Sequence, residues 1–259
     1  MSGLFDLSGQ VGLVTGGNGG IGLGMAEGMA RQGADVVIWG RNADKNAAAK
    51  ERLEKTGQRV ATAQIDVSDE AAVKEGIANI LSEFGRLDTA IANAGMSSSQ
   101  RSVFDITTED FNRVIQVNIN GVFFTLREAA RHMIDRAKNG DPGGALVGIA
   151  STAAIHGAAR NEHYAASKGG VVTMCRAMAV EFARHKITVN SICPGWVRSE
   201  MSQPAQDNDK FNEKVISRVP TGGWADPEDF SAIAAYLSSR AASFHTGDTI
   251  VIDGAYTIF

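Results

Sequence analysis

The chain has 259 residues, of which 44% are hydrophobic and 21% charged, with a net charge of −4. This is a globular composition, and a small acidic excess with no Lys/Arg run argues against nucleic acid or an anionic membrane surface as partner, leaving a small molecule. Two cysteines, Cys175 and Cys193, are too few for a disulfide framework, and no apolar run reaches the roughly 18 residues of a membrane span, so a reducing, cytoplasmic setting is expected. The length suits one domain over residues 1–259.

The first apolar run, Val11–Thr15, ends in Gly16-Gly-Asn-Gly-Gly20-Ile-Gly22, after which Met25, Ala26, Met29 and Ala30 recur at helical spacing. Strand, glycine loop and helix in that order make a phosphate cradle: the glycines let the backbone approach a pyrophosphate, which meets the free N–H groups of the helix start. Gly16, Asn18, Gly20, Ile21 and Gly22 are the candidate contacts. The strand Asp35–Trp39 should end at an adenosine ribose, where a carboxylate would take the hydroxyls. Gly40 stands there instead, followed by Arg41, whose guanidinium suits a 2′-phosphate or, in the other reading, stacks on adenine.

Residues 59–65 read as a third strand ended by Asp66 and Val67, and Thr89–Ala92 as a fourth leading into Asn93-Ala94-Gly95. A helical pattern covers 109–138, with Phe111, Val114, Ile115, Val117, Val122 and Phe123 on its apolar side and Thr107 and Asp110 as a capping pair. Asn118 lies inside it, an amide that needs a reason to be buried. After the break at 139–144, residues 145–150 form a strand that presents Ser151 at its carboxyl end, where open α/β sheets bind ligands.

Tyr164 and Lys168 follow, four apart, so that on a helix they share a face. A phenol titrates near ~10, and a lysine cation alongside favours the phenolate, bringing Tyr164 toward useful acid/base chemistry. Ser151 then supplies a hydroxyl for the oxygen whose proton moves. The helix continues through Val171, Met174, Cys175, Met178 and Val180, read as core. His156 and His163 flank the site as pocket wall or surface, without the ligand cluster a metal needs.

A strand at 188–192 runs into Pro194-Gly195-Trp196-Val197-Arg198-Ser199, and 199–225 turns polar, with the length of a mobile lid. Trp196 and Met201 are expected to roof a substrate pocket that also takes in Ala153 and Asn161. Asp226-Pro227 opens a capped helix, and Thr249–Ile252 closes the sheet.

Thr15-Gly16-x-x-x-Gly20-x-Gly22, Asn93-Ala94-Gly95, Asn118, Ser151 with Tyr164-x-x-x-Lys168, and Pro194-Gly195 fall in one order, and that order resembles the classical short-chain dehydrogenases/reductases over nearly the whole chain. The resemblance implies a doubly wound, seven-stranded parallel sheet of order 3-2-1-4-5-6-7 with helices on both faces. It implies hydride transfer between a secondary alcohol/ketone pair and NADP(H), with NAD(H) as the lesser option, because Arg41 follows the second strand. Asn18 and Asn42 are possible helpers there. Tyr164 becomes the general acid/base, Ser151 its partner, Lys168 the pKa-lowering and ribose-binding cation, and Asn118 the last member of a proton relay. Asp66 and Val67 take adenine; the Val197 backbone takes the nicotinamide amide and the Ser199 hydroxyl a phosphate or the amide. Two departures stand out: Ala92 replaces the family's first Asn, and Ser199 its Thr. A homotetramer is implied, with the apolar ending Tyr256-Thr-Ile-Phe259 at a contact. Two enzyme readings stand beside the general one. A 3-oxoacyl-(acyl-carrier-protein) reductase would need the basic residues Arg131, Arg136 and Lys138, and a sugar or sugar-acid dehydrogenase would use Arg160 or Arg198 for an anion. A nucleotide-sensing regulator would have discarded the catalytic set.

Overall fold

A computed structural model describes residues 3–259. Short apolar runs bounded by turn residues make seven strands, β1 (Val11–Thr15), β2 (Asp35–Trp39), β3 (Val60–Ala63), β4 (Thr89–Ala92), β5 (Gly144–Ile149), β6 (Ile187–Pro194) and β7 (Thr249–Ile252). Every pairing is parallel and the order is β3-β2-β1-β4-β5-β6-β7, as expected. The connecting helices are α1 (Gly20–Arg31), α2 (Ala43–Glu54), α3 (Glu70–Phe84), α4 (Thr108–Ile115), α5 (Gly121–Lys138), α6 (Ala153–His156), α7 (Glu162–Phe182), α8 (Gln203–Gln206), α9 (Asp209–Ile216) and α10 (Ser231–Ser238). None of them is long and apolar enough to cross a membrane, among the described residues.

Because successive strand residues point to opposite faces, the inner strands feed two cores. Leu13, Val37, Trp39, Leu146 and Val189 pack with residues of α3, α5 and α7, including Ile77, Leu126 and Val171. Val14, Val36, Ile38, Ile91 and Ile192 pack on the other side with Met25 and Met29 of α1 and Leu237 of α10. Helix α1 lies close to the 227–231 segment because Gly24 and Gly28 have no side chain: a Cβ on Gly28 would sit 2.6 Å from the Ser231 Cα.

The long helical pattern at 109–138 is not one helix. A π-turn, Gln116–Asn120, separates α4 from α5. Thr107 and Asp110 do form a capping box at its start. Val180, read as core, is 83% exposed, and Phe111 and Phe123 on the apolar side are only partly covered, so helical period alone did not identify the packed face. The 199–225 stretch holds α8 and α9, and its Val215, Val219 and Trp224 form a small core with Tyr256 and Trp196.

Candidate active site

Three consecutive helices begin with side-chain caps: Asn42 accepts from the Lys45 N–H at 2.9 Å on α2, Asp69 caps α3 and Thr107 caps α4. Helix α1 begins at Gly19 with no side-chain cap and no acidic residue in its first turn. Its first N–H groups are left for an anion, which the positive end of the helix dipole favours. Gly16 adopts φ 64° and Gly20 φ 49°, left-handed values that side chains avoid. A Cβ on Gly22 would stand 2.5 Å from Asn93 Nδ2, so only glycine allows the loop to fold back on β4. Asn93 holds that contact by donating to the carbonyls of Thr15 at 2.9 Å and Gly16 at 3.2 Å, while Thr15 Oγ1 accepts from the N–H groups of Asn93 and Ala94. The main chain thus stays tied although Ala92 replaces an amide.

The loop opens into a cleft of about 410 Å³ lined by Gly16, Asn18, Gly20, Ile21, Arg41, Asp66, Val67, Asn93, Ala94, Gly95, Ser199 and Met201, all singled out in the sequence. Lys45, Met96, Val117 and Glu200 also line it and carried no sequence signal recognised as such. Gly22, Asn42, Tyr164, Lys168, Pro194, Gly195 and Val197 do not line it: Gly22 packs behind the loop, and Asn42 has its side chain committed to the cap. The Val197 carbonyl accepts from Ser202 Oγ at 2.6 Å. Met201 lies over the cofactor cleft, and Trp196 packs edge-on against Phe211, Trp224 and Tyr256 under α9.

The adenosine end is built on amides. Asn18 Nδ2 donates to Asn46 Oδ1 at 2.7 Å, and Asn46 Nδ2 donates to the Gly40 and Ala63 carbonyls. A Cβ at Gly40 would sit 2.5 Å from Asn46 Oδ1, so a carboxylate at this position would have to displace the Asn18–Asn46 amide pair. Asn46 was not singled out in the sequence, since one Asn in a helix has no pattern. Arg41 is 74% exposed and 3.9 Å from Asp66 Oδ2. Burial raises the Asp66 pKa, but hydrogen bonds from the Ser68 hydroxyl and N–H, with the Arg41 charge, outweigh it and hold the carboxylate below its ordinary value. These features fit an adenine dinucleotide carrying a phosphate at the ribose.

The other predicted residues meet at the carboxyl ends of β4 and β5. Asn118 is fully buried in the π-turn; its Oδ1 accepts from the Met96 N–H at 2.8 Å, and its Nδ2 donates to the Met96 carbonyl at 2.9 Å and to Ser167 Oγ at 3.0 Å. Ser167 Oγ in turn donates to the Tyr164 carbonyl at 2.7 Å, tying α7 to the π-turn. Lys168 Nζ donates to the Ile149 carbonyl at 2.8 Å and lies 5.7 Å from the Tyr164 ring centre. Gly95 passes between: a Cβ there would stand 3.3 Å from both Lys168 Nζ and Asn118 Oδ1. Ser151 Oγ accepts from the Ala153 N–H at 3.1 Å, fixing its hydroxyl at the start of α6.

Burial sets the electrostatics. Desolvation pushes Tyr164 above its ordinary value of 10.0, partly opposed by the nearby Ser151 hydroxyl. Desolvation lowers Lys168 from 10.5 to about 8. Lys168 is not among the causes of the Tyr164 shift, its ammonium being turned to Ile149. The expected lowering of the phenol by the lysine is therefore absent from this arrangement. Asn161 donates to Ser97 Oγ at 2.7 Å, but its Oδ1 and both ring nitrogens of buried His163 lack a partner among the described residues. Cys175 and Cys193 are buried free thiols. No group of three or more His, Cys, Asp or Glu could hold a metal, among the described residues.

A glycine cradle on an uncapped helix, with Ser, Tyr, Lys and Asn gathered at the carboxyl ends of a doubly wound sheet, defines a Rossmann-type oxidoreductase. The chain belongs to the short-chain dehydrogenase/reductase family. A family model described as enoyl-(acyl carrier protein) reductase matches residues 16–257. Gluconate 5-dehydrogenase of Gluconobacter oxydans (strain 621H) is 36% identical over 255 residues, covering 98% of this chain and 97% of the relative. A 3-oxoacyl-(acyl-carrier-protein) reductase of Chlamydia pneumoniae is 33% identical, covering 97% and 98%. Among solved structures, a gluconate 5-dehydrogenase from Burkholderia cenocepacia J2315 in complex with NADP and tartrate superposes with a TM-score of 0.92 at 31% identity, covering 99% of this chain and 98% of that one.

Proposed function

We propose that this enzyme transfers a hydride reversibly between NADP(H) and a secondary alcohol/ketone pair, with Tyr164 moving the proton. The observation that carries the reading is the cluster of Ser151, Tyr164, Lys168 and Asn118 beside Gly95, at the end of a cleft that fits the dinucleotide. When bound, NADP(H) supplies the hydride. The glycine loop and the start of α1 hold its pyrophosphate, Arg41 its 2′-phosphate, and Asp66 with Val67 the adenine. Tyr164, kept protonated by burial, donates its phenolic proton to the carbonyl oxygen during reduction. Ser151 hydrogen-bonds the same oxygen. Lys168 holds the nicotinamide ribose and resupplies the proton, with Asn118 fixing the π-turn that completes the relay. The Val197 backbone and the Ser199 hydroxyl hold the nicotinamide amide, and 199–225 closes over the substrate beside Ala153, Asn161 and Trp196.

The substrate class we favour is a polyhydroxylated carboxylic acid. Relatives named for gluconate, 2-dehydro-3-deoxy-D-gluconate and 5-keto-D-gluconate span nearly the full chain. Of the two arginines suited to an anion, Arg198 is paired to Asp226 at 3.0 Å and to the Trp224 carbonyl, whereas Arg160 makes no ion pair among the described residues. For the acyl-carrier alternative, each of the basic residues has an acidic partner: Arg131 pairs with Glu128, Arg136 with Asp88 and Lys138 with Asp135.

The deciding experiment follows NADPH and NADH absorbance with keto-acids of sugars, simple cyclic and aliphatic ketones, and an acyl thioester. NADPH oxidation confined to the keto sugar acids supports the reading; a preference for the thioester would replace it. The assembly proposed is a homotetramer, supported by exposed Val251, Ile258 and Phe259 near the chain end. Light scattering should then return the mass of four 27.3 kDa chains.

A further inference from the structure

An ion pair spans the cofactor cleft. Lys45, in the first turn of α2, reaches Glu200, at the start of the 199–225 segment, with Nζ 2.6 Å from Oε1, and both residues line the cleft. From these positions we infer that Lys45 is the second cation for a ribose 2′-phosphate, and that Glu200 is its removable competitor, so that the pair discriminates NADP(H) from NAD(H). The inference rests on the cofactor reading above.

The charges require something of this kind. In the cleft lining Arg41 and Lys45 provide two positive charges, and Asp66 and Glu200, paired with them, two negative ones. A 2′-phosphate carrying roughly −1.5 to −2 would enter a neutral pocket unless one carboxylate gives way. Asp66 is fixed by the Ser68 hydroxyl and N–H. Glu200 is 80% exposed and its carboxylate has no partner but Lys45 among the described residues. An exposed ion pair is worth little, so a dianion outcompetes it for the lysine. The neighbouring polar groups are committed elsewhere: Asn42 to its cap, Asn18 to Asn46, and Asn46 to the Gly40 and Ala63 carbonyls. A ribose hydroxyl cannot displace Glu200 from Lys45. With NAD(H) the pair therefore stays closed across the cleft, and with NADP(H) Glu200 is expelled while its backbone remains anchored by the neighbouring Ser199–Ser202 hydrogen bonds.

The two side chains consequently act with opposite sign, and this is measurable without turnover. Calorimetric titration of the intact protein with NADPH, NADH, adenosine 2′,5′-bisphosphate and AMP isolates the 2′-phosphate. Lys45→Gln should weaken NADPH and the bisphosphate about tenfold while NADH and AMP stay within about twofold. Glu200→Gln should tighten NADPH and the bisphosphate about threefold, and that gain should disappear in the double variant, because the competitor matters only through Lys45. Equal weakening of NADPH and NADH by Lys45→Gln would overturn the inference by assigning the lysine to the pyrophosphate. Unchanged or weaker NADPH binding in Glu200→Gln would overturn it as well. A wild type that binds NADPH no tighter than NADH would contradict the cofactor reading instead, and the bisphosphate against AMP would still report on Lys45 separately.

Discussion

The two ends of the parallel sheet solve the burial of charge in opposite ways. At the amino end, Asp88 precedes β4 and is met from three sides: by the Val11 N–H at 2.9 Å, by the Arg86 guanidinium at 2.7 Å and by Arg136. Burial raises its pKa, but these partners outweigh burial and hold the carboxylate below its ordinary value. At the carboxyl end, Lys168 has one carbonyl, Tyr164 is desolvated, and Asn161 and His163 have polar atoms with no partner among the described residues. The first end is built for stability. The second leaves buried polar groups with few partners beside the proposed proton donor, at a cost in stability.

Substitutions at the two ends should therefore fail differently. Asp88→Asn removes the carboxylate shared by Arg86 and Arg136, which keep Asp141, and should cost about 1–3 kcal/mol in chemical denaturation with little change in NADPH affinity. A variant that unfolds normally but binds cofactor poorly would break the contrast. Asn118→Ala leaves the Met96 N–H and carbonyl without partners and Ser167 with the Tyr164 carbonyl alone, and should cost about 1–3 kcal/mol together with a drop in turnover of at least about tenfold. A stability loss with normal turnover would reduce Asn118 to packing.

The pH response separates the ends further. The depressed Asp88 pKa contributes stability above the ordinary carboxylate value of 3.8, lost as pH falls through the lower folded value. Lys168 has the same slope in a higher window, where a cost of burying its charge is relieved as pH rises. Between about 8 and 10.5 the unfolded chain binds a proton that the folded one does not, so this group makes stability rise with pH across that window. Ketone reduction should fall as pH rises through about 8, where the ammonium is lost, and Lys168→Arg should remove that inflection because a guanidinium stays charged. An inflection that persists in Lys168→Arg would assign it to another group. The smallest effect is expected at His163: replacing its partnerless ring nitrogens, as in His163→Leu, should raise stability by about 1 kcal/mol in a thermal melt. Destabilisation there would mean that the stack on Phe111 outweighs the buried nitrogens.

Local chemistry explains what was readable in the sequence. Strands β1, β2, β4 and β7 were bounded by glycine, asparagine or aspartate and were placed to the residue, and Thr107–Asp110 announced its own cap. The glycine loop was legible because the backbone needs those residues wherever the rest of the chain goes. The π-turn was not, since it depends on the Asn118 amide finding Met96, 22 positions away in sequence. Nor was the outward turn of Val180, because a helical repeat gives a stripe without saying what covers it. The candidate cofactor site was found where motifs are contiguous and missed where Asn46 and Lys45 of α2 meet Asn18 and Glu200 from distant parts of the chain.

The central claim, that the carboxyl end carries proton transfer through Tyr164, is tested most directly by Tyr164→Phe with binding and turnover measured on the same protein. The account predicts NADPH affinity within about twofold of wild type and turnover reduced by about a hundred- to ten-thousand-fold. Turnover near the wild-type level, with cofactor still bound, would contradict it.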